Sequence, residues 1–145
     1  MFHLSKKANY GLLLLIELAH AKEEGGNIVS LKEFAESRFM SFYFLQKAAY
    51  ELRKSGIIGS ERGKSGGYLL SREPDSITLQ EILETIEGPV SITTGLETNT
   101  ALPCSNEKYF TAHRGLNLLN SDLKNSLSRI TLQDFMTQKS TPISQ

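Results

Sequence analysis

The chain has 145 residues, no net charge at neutral pH and one cysteine. That length provides one domain with its own core and argues against several independent domains. The single cysteine excludes an intramolecular disulfide framework and favours a reducing compartment. The apolar run at 11–16 is too short to cross a bilayer, and no small-residue cleavage site follows it. We therefore expect a soluble, cytoplasmic protein without membrane contact.

The two halves of the chain carry opposite net charges. Residues 1–72 contain 11 Lys and Arg against 7 Asp and Glu, whereas residues 73–145 contain 5 against 9. A nucleic-acid-reading front and a protein-facing or sensing rear would produce this asymmetry. The positive excess in residues 1–72 is modest for a protein that binds a polyanion. It therefore serves only as support for conclusions that rest on motifs.

The front of the chain predicts two helices and a brief strand. Apolar residues recur at helical spacing over 4–20, and they form a face that extends nearly all round the helix. This pattern predicts a buried first helix. A glycine pair follows, and 28–29 predict a short strand. Ser30 and Glu33 then form a Ser-x-x-Glu capping box, which predicts a second helix that ends near Ser37.

Ser41 is the next helix-start signal, and the helix that it opens extends through Lys54. Apolar residues define the inner face of this helix: Phe44, Leu45, Ala48, Ala49 and Leu52. The opposite face carries aromatic, amide and cationic groups: Phe42, Tyr43, Gln46, Lys47, Tyr50 and Arg53. This mixture differs from the Glu and Lys alternation of a solvated surface. We therefore interpret the helix as a candidate recognition helix.

A basic, glycine-rich turn between two apolar strands follows directly. Gly56 can supply the left-handed residue that ends the helix. Ile57-Ile58 and Tyr68-Leu69-Leu70 have strand character, and the cationic loop 62–67 between them suits a phosphate-lined groove. This order of elements predicts a winged helix-turn-helix over residues 1–72.

The region 73–107 is predicted to contain a connecting helix and a sensor loop. Thr78 and Glu81 form a second capping box, and Gly88-Pro89 ends the helix that it starts. A loose segment then runs to residue 107. The fold class is therefore mainly α with a small β-hairpin wing.

The region 108–138 is predicted to form a long dimerisation helix and a short terminal helix that begins at Thr131. The long helix carries a narrow leucine stripe with spacings of three and four residues: Leu116, Leu119, Leu123 and Leu127. We interpret the stripe as a dimer interface, and packing within one chain is the alternative. Residues 139–145 are expected to be a flexible tail.

Seven motifs cover nearly the whole chain in order: 4–10, 30–35, 52–57, 62–68, 77–79, 87–89 and 130–132. Together they resemble the Rrf-type family of bacterial winged-helix transcription regulators, the group that includes IscR, NsrR and CymR. The resemblance implies a homodimer in which two recognition helices and two wings bind the half-sites of a palindrome in double-stranded DNA. A repressor with an unknown effector is the function that we expect.

The resemblance also implies which side chains contact DNA. The candidates in the recognition helix are Ser41, Tyr43, Gln46, Lys47 and Arg53. The candidates in the wing are Arg62, Lys64 and Ser65, with Gly63, Gly66 and Gly67 allowing close approach of the backbone. Many members carry Glu where this chain has Gln46. An amide pairs bidentately with adenine whereas a carboxylate favours cytosine, so a different operator is expected. Tyr43 is alternatively a packing aromatic.

Many members of the family hold an iron-sulfur cluster on three cysteines and one histidine before the long helix. Counted back from 130–132 without gaps, those positions fall on Thr98, Cys104, Phe110 and His113. Phenylalanine cannot coordinate iron and threonine is a poor ligand, so we expect no conventional cluster within one chain. The alternative is a metal site shared between protomers or completed by other side chains: His3, Glu97 or Glu107.

Cys104 can instead report oxidation directly, through sulfenic acid or a disulfide across the dimer, or it can be a loop cysteine without a role. His113 is alternatively a helix-surface or interface histidine.

The chain has no phosphate-binding strand-glycine-helix unit and no zinc spacing, so we expect no enzyme. The alternative function is a winged-helix module that binds another protein and has lost specific DNA contact.

Overall fold

The computed structural model describes residues 3–26, 28–64, 66–92 and 107–138. In these ranges the chain forms helices and one two-stranded antiparallel hairpin, which confirms the predicted fold class. The helices are α1 Lys6–Glu23, α2 Leu31–Ser37, α3 Phe42–Lys54, α4 Leu79–Glu87, α5 Glu107–Arg129 and α6 Leu132–Thr137. The strands are β1 Ile58–Glu61 and β2 Gly67–Leu70. Ser65, Cys104 and the expected tail lie outside the described residues.

Hydroxyl side chains cap four of these helices. The first helix begins two residues later than predicted, because Ser5 Oγ accepts the Ala8 amide at 3.1 Å. Ser30, Thr78 and Thr131 cap α2, α4 and α6 in the same way. Each cap satisfies an amide that has no partner within the helix, so these local sequence signals determine where the helices start.

The core forms around α1, which packs against α3, α4, α6 and β2. Leu14, Leu15 and Leu18 are fully buried or nearly so. The prediction that α1 is apolar and buried nearly all round is wrong on one side. Leu13 is 43% exposed, because it lines an open groove of about 460 Å³ beside α2.

The short capping segments of α4 and α6 pair with each other. Thr78 and Thr131 form an antiparallel bridge, in which the Leu79 amide donates to Ile130 at 2.8 Å and the Leu132 amide donates to Ile77 at 2.9 Å. Leu132 is fully buried in the common core. The C-terminal end of α5 is thereby held on the same core as the helix-turn-helix.

The wing is held on the domain by a third segment. In the hairpin, Ile58 pairs with Leu70 and Glu61 pairs with Gly67. The predicted strand at 28–29 is reduced to one bridge, between Val29 and Tyr68, with hydrogen bonds of 2.9 and 2.8 Å. This bridge fixes the base of the wing to the segment that precedes α2.

Candidate nucleic-acid interface

The outer face of α3 lies in solvent, as a recognition helix requires. Tyr43, Gln46, Lys47, Tyr50 and Arg53 are all exposed. The inner face is fully buried at four positions: Leu45, Ala48, Ala49 and Leu52. Phe44, which was predicted to be on the inner face, is only half-buried because it lies at the edge of α1. The packed inner face holds α3 rigidly while its polar face remains available.

Tyr43 is held in place by its neighbours on α3. Lys47 Nζ lies 4.5 Å from the centroid of the Tyr43 ring, within the range of a cation–π contact. The Tyr43 and Phe44 rings meet edge to face, with centroids 5.3 Å apart at 78°. Lys6 Nζ in turn lies 5.5 Å from the Phe44 centroid. Tyr43 thus contacts both Lys47 and Phe44 while its side chain remains 58% exposed.

Ser41 occupies the cap position of α3, but its hydroxyl does not cap the helix. Its backbone amide instead donates to the Tyr10 hydroxyl at 3.5 Å. The amides of the first turn of α3 therefore lack the side-chain partner that α1, α2, α4 and α6 have. Uncapped amides at a helix N-terminus are a suitable site for a phosphate oxygen.

The N-terminus of α1 adds two cations, Lys6 and Lys7, that were not predicted to belong to the site. Lys7 lines a groove of about 470 Å³ together with Tyr43, Gln46, Lys47 and Tyr50. Lys6 reaches the same helix through the Phe44 ring. In the sequence, only the adjacent lysine pair could have indicated these cations. Their proximity to α3 was not predictable, because it depends on tertiary packing.

The tip of the wing presents two cations to solvent. Arg62 and Lys64 are exposed, and in the part of the chain that the structure describes neither forms a salt bridge. The Gly66 amide donates to Gly63 at 3.0 Å, which closes the turn between them. An exposed carboxylate, Glu61, lies at the end of β1. The free charges of the wing are therefore available to a polyanion.

Two glycines of the wing have a reason within the fold. A Cβ on Gly67 would lie 2.4 Å from the Val29 carbonyl oxygen, and one on Gly66 would lie 2.5 Å from that of Glu61. Gly63 differs, since its φ is 127° and a Cβ there would meet no neighbour within 4 Å. Gly66 and Gly67 are thus required by backbone packing whether or not DNA approaches.

The leucine stripe of α5 does not have one uniform environment. Leu127 is 9% exposed in the core of its own chain, and Leu123 packs against that core. Leu116 is half-buried, whereas Leu119 is 48% exposed and its neighbour Leu118 is 66% exposed. Among the described side chains of α5, the exposed large apolar ones are thus Leu118 and Leu119 at its middle and Phe110, 44% exposed, near its N-terminal end.

The described residues of the expected sensor do not form a metal site. His113 is half-buried on α5, and its Nδ1 lies 3.2 Å from Asn117 Nδ2. Phe110 offers no donor atom to iron, while Thr98 and Cys104 lie outside the described residues. Within the described ranges, no group of three or more His, Cys, Asp and Glu side chains could hold a metal ion. The donor set does not fit a conventional iron-sulfur cluster.

Comparison with known proteins gives curated relatives among transcriptional regulators. The chain is 42% identical over 88 residues to the HTH-type transcriptional regulator CymR of Bacillus subtilis. This alignment covers 61% of this chain and 62% of CymR. It is 36% identical over 88 residues to IscR of Cereibacter sphaeroides, over 61% and 57% of the two chains. The aligned region therefore spans about 60% of the length of these relatives. The matched proteins are regulators rather than enzymes, as expected from the sequence.

Solved structures extend the likeness over almost the whole chain. The structure of B. subtilis CymR, the global cysteine regulator of that organism, matches with a TM-score of 0.72 at 33% identity, over 96% of this chain and 99% of that one. The T. potens IscR structure matches with a TM-score of 0.72 at 28% identity, over 99% and 93%. In the described ranges, no helix combines the length and apolar character that a bilayer span requires. The family model "Rrf2: Iron-dependent Transcriptional regulator" matches residues 4–138, and this chain therefore belongs to the Rrf2 family, as its motifs predicted.

Proposed function

We propose that this chain is a cytoplasmic, homodimeric transcription repressor that binds a palindromic operator through α3 and the wing. The observation that carries the proposal is the outer face of α3, where Tyr43, Gln46 and Lys47 lie exposed on a helix whose inner face is packed. An α-helix of this kind fits the major groove, where amide and cationic groups distinguish base pairs.

The side chains divide into two roles on this proposal. Gln46 would read bases, because its amide both donates and accepts and therefore matches adenine N7 and N6. Arg62, Lys64 and Lys7 would contact phosphates, because they are cations at the edges of the α3 surface or on the wing. Phosphate contacts set affinity and orientation, whereas base contacts set sequence preference.

Dimerisation is supported by the exposed leucines of α5. Leu118 and Leu119 are 66% and 48% exposed, so packing within the described part of the chain leaves both side chains largely uncovered. We propose that 1–72 form the DNA-binding region, that 73–107 connect it, and that 108–138 pair with a second copy. Twofold symmetry of the protein would then impose twofold symmetry on the operator.

The proposed regulator works without a conventional iron-sulfur cluster, although its family is described as iron-dependent. One cysteine per chain supplies too few thiolates for a cluster. Because Cys104 is the single thiol of the chain, oxidation of Cys104 is the first effector mechanism to test.

The decisive experiment selects bound sequences from a random DNA pool with protein purified anaerobically, in reduced and oxidised samples, with its visible spectrum recorded. An enriched palindrome is expected, and Arg62→Ala should then weaken binding to all sequences, whereas Gln46→Glu should redirect base preference toward cytosine. Lys124→Ala, on the exposed side of α5, is the charge-matched control for the wing, provided that sedimentation velocity shows the same association as for the unmodified chain. No enrichment in any state would contradict DNA recognition and favour a protein-binding module. A visible chromophore would contradict the absence of a cluster.

A further inference from the structure

Phe42 is an apolar residue on the side of the molecule that would face DNA. It is the first residue of α3, and its side chain is 44% exposed. It borders an open groove of about 260 Å³ between α2 and α3, beside Lys32 and Met40. The two helices do not cover the ring completely, so the exposed part of this side chain is available for another contact.

The position of Phe42 relative to Gln46 makes that contact specific. The two residues are four apart in α3, so their side chains are neighbours on one helix face, with Phe42 nearer the N-terminus. The N-terminal residues of a recognition helix are those that meet base edges. The uncapped first turn of α3 also leaves amides for a phosphate at the groove edge. Phe42 and Gln46 would therefore meet the same or neighbouring base pairs.

The chemistry of the major groove restricts what Phe42 can recognise. The thymine C5-methyl is the only methyl group exposed there, and the bases are otherwise distinguished by hydrogen-bond donors and acceptors. A phenyl ring forms no such hydrogen bonds, but it gains by removing a methyl group from water. Thymine also pairs with adenine, the base that the amide of Gln46 matches.

We propose that Phe42 reads a thymine methyl group in each half-site, beside the base that Gln46 contacts. This inference rests on the proposed DNA-binding function and identifies a specificity-determining residue within it. The predicted half-site therefore contains an A·T pair within one step of the Gln46 contact.

The test uses the selected operator duplex and copies in which one thymine of the half-site at a time is replaced by deoxyuridine, which lacks only the methyl group. The unmodified protein should lose about fourfold in affinity at one thymine, the equivalent of about 0.8 kcal/mol for a buried methyl-sized group. Phe42→Ala should bind the thymine and uracil duplexes equally at that position. Phe42→Leu, which keeps an apolar side chain, should retain the discrimination.

Phe39→Ala is the matched control, since Phe39 is an exposed aromatic three residues earlier, outside α3. Discrimination that disappears in Phe39→Ala but persists in Phe42→Ala would overturn the assignment. Equal affinity of the unmodified protein for every uracil-substituted duplex would also overturn it, while leaving the proposed operator binding intact. Failure to select any operator would instead count against the proposed function. The deoxyuridine scan with the unmodified chain does not depend on the folding of any variant.

Discussion

At the scale of single residues, Phe39 combines two unfavourable properties. Its φ is 53°, and among the described residues it is the only one other than glycine with a positive φ. Its side chain is also 98% exposed. A left-handed conformation costs an L-residue about 1–2 kcal/mol, which glycine avoids. The turn between α2 and α3 therefore carries a local strain that its side-chain contacts do not offset.

Replacing Phe39 by glycine should raise the free energy of unfolding by about 0.5–1 kcal/mol, because relief of the backbone strain exceeds the conformational entropy that glycine adds to the unfolded chain. Chemical denaturation monitored by far-ultraviolet circular dichroism would measure the change. Phe39→Ala keeps a Cβ in the strained conformation and should leave stability nearly unchanged. Equal stabilisation by both substitutions would show that the exposed ring, rather than the backbone, causes the effect.

Lys7 is the second residue whose role depends on where the fold places it. It lines the groove that Tyr43, Gln46 and Lys47 also line, so Lys7→Ala should weaken DNA binding at all sequences. The slope of log affinity against log salt should fall by about 0.9, the value for one phosphate contact. Affinity measured across a salt series, with Lys124→Ala as the charge control, tests this. An unchanged slope in the Lys7 variant would remove α1 from the interface.

At the scale of elements, the wing depends on a close backbone contact. A Cβ on Gly67 would lie 2.4 Å from the Val29 carbonyl oxygen, and backbone cannot give way as a flexible side chain can. Gly67→Ala should therefore break the bridge between Val29 and Tyr68, at a cost of about 1–3 kcal/mol. Amide hydrogen exchange at Tyr68 and Val29 should accelerate.

Gly59→Ala is the comparison for the wing, since its nearest neighbour would be the Ser71 hydroxyl at 3.2 Å, which can rotate away. This variant should lose less stability and keep the bridge. If Gly67→Ala left both amides as protected as before, the wing would be anchored by other contacts.

At the scale of the whole molecule, substitutions at different leucines of α5 should affect either association or folding. Leu119 is 48% exposed, so Leu119→Glu should leave each chain folded but shift a dimer toward monomers. Leu127 lies in the core of its own chain, so Leu127→Ala should instead lower the free energy of unfolding by about 2–5 kcal/mol. Sedimentation velocity and denaturation distinguish the two effects. A Leu119→Glu variant that remains dimeric would move the interface elsewhere.

Local sequence signals were sufficient to predict most of the helix boundaries. Ser30, Thr78 and Thr131 begin helices where their capping sequences predict, and Gly56, with φ 82°, ends α3 as expected. The reason is that a cap or a left-handed glycine acts on amides and carbonyls within a few residues of itself. The exposed face of α3 followed from its periodicity for the same reason.

Contacts between distant segments were not predictable in this way. The sequence did not indicate that Lys7 lies beside α3, that Gly67 packs on the Val29 carbonyl, or that Leu127 is buried while Leu119 is exposed. Each of these contacts depends on how elements far apart in the chain pack together. The spacing of the leucines does not help, because it is the same whether a leucine is buried in its own chain or exposed.

The sequence by itself determined the family, the order of elements and the polar face of the recognition helix, because these reside in short motifs and in helical periodicity. It also determined that one cysteine is too few for a conventional cluster. Only the tertiary structure decided which cations share a surface with α3 and which part of α5 remains open to a partner. Those properties depend on packing across the core, where α6 contacts α1 and the caps of α4 and α6 pair with each other.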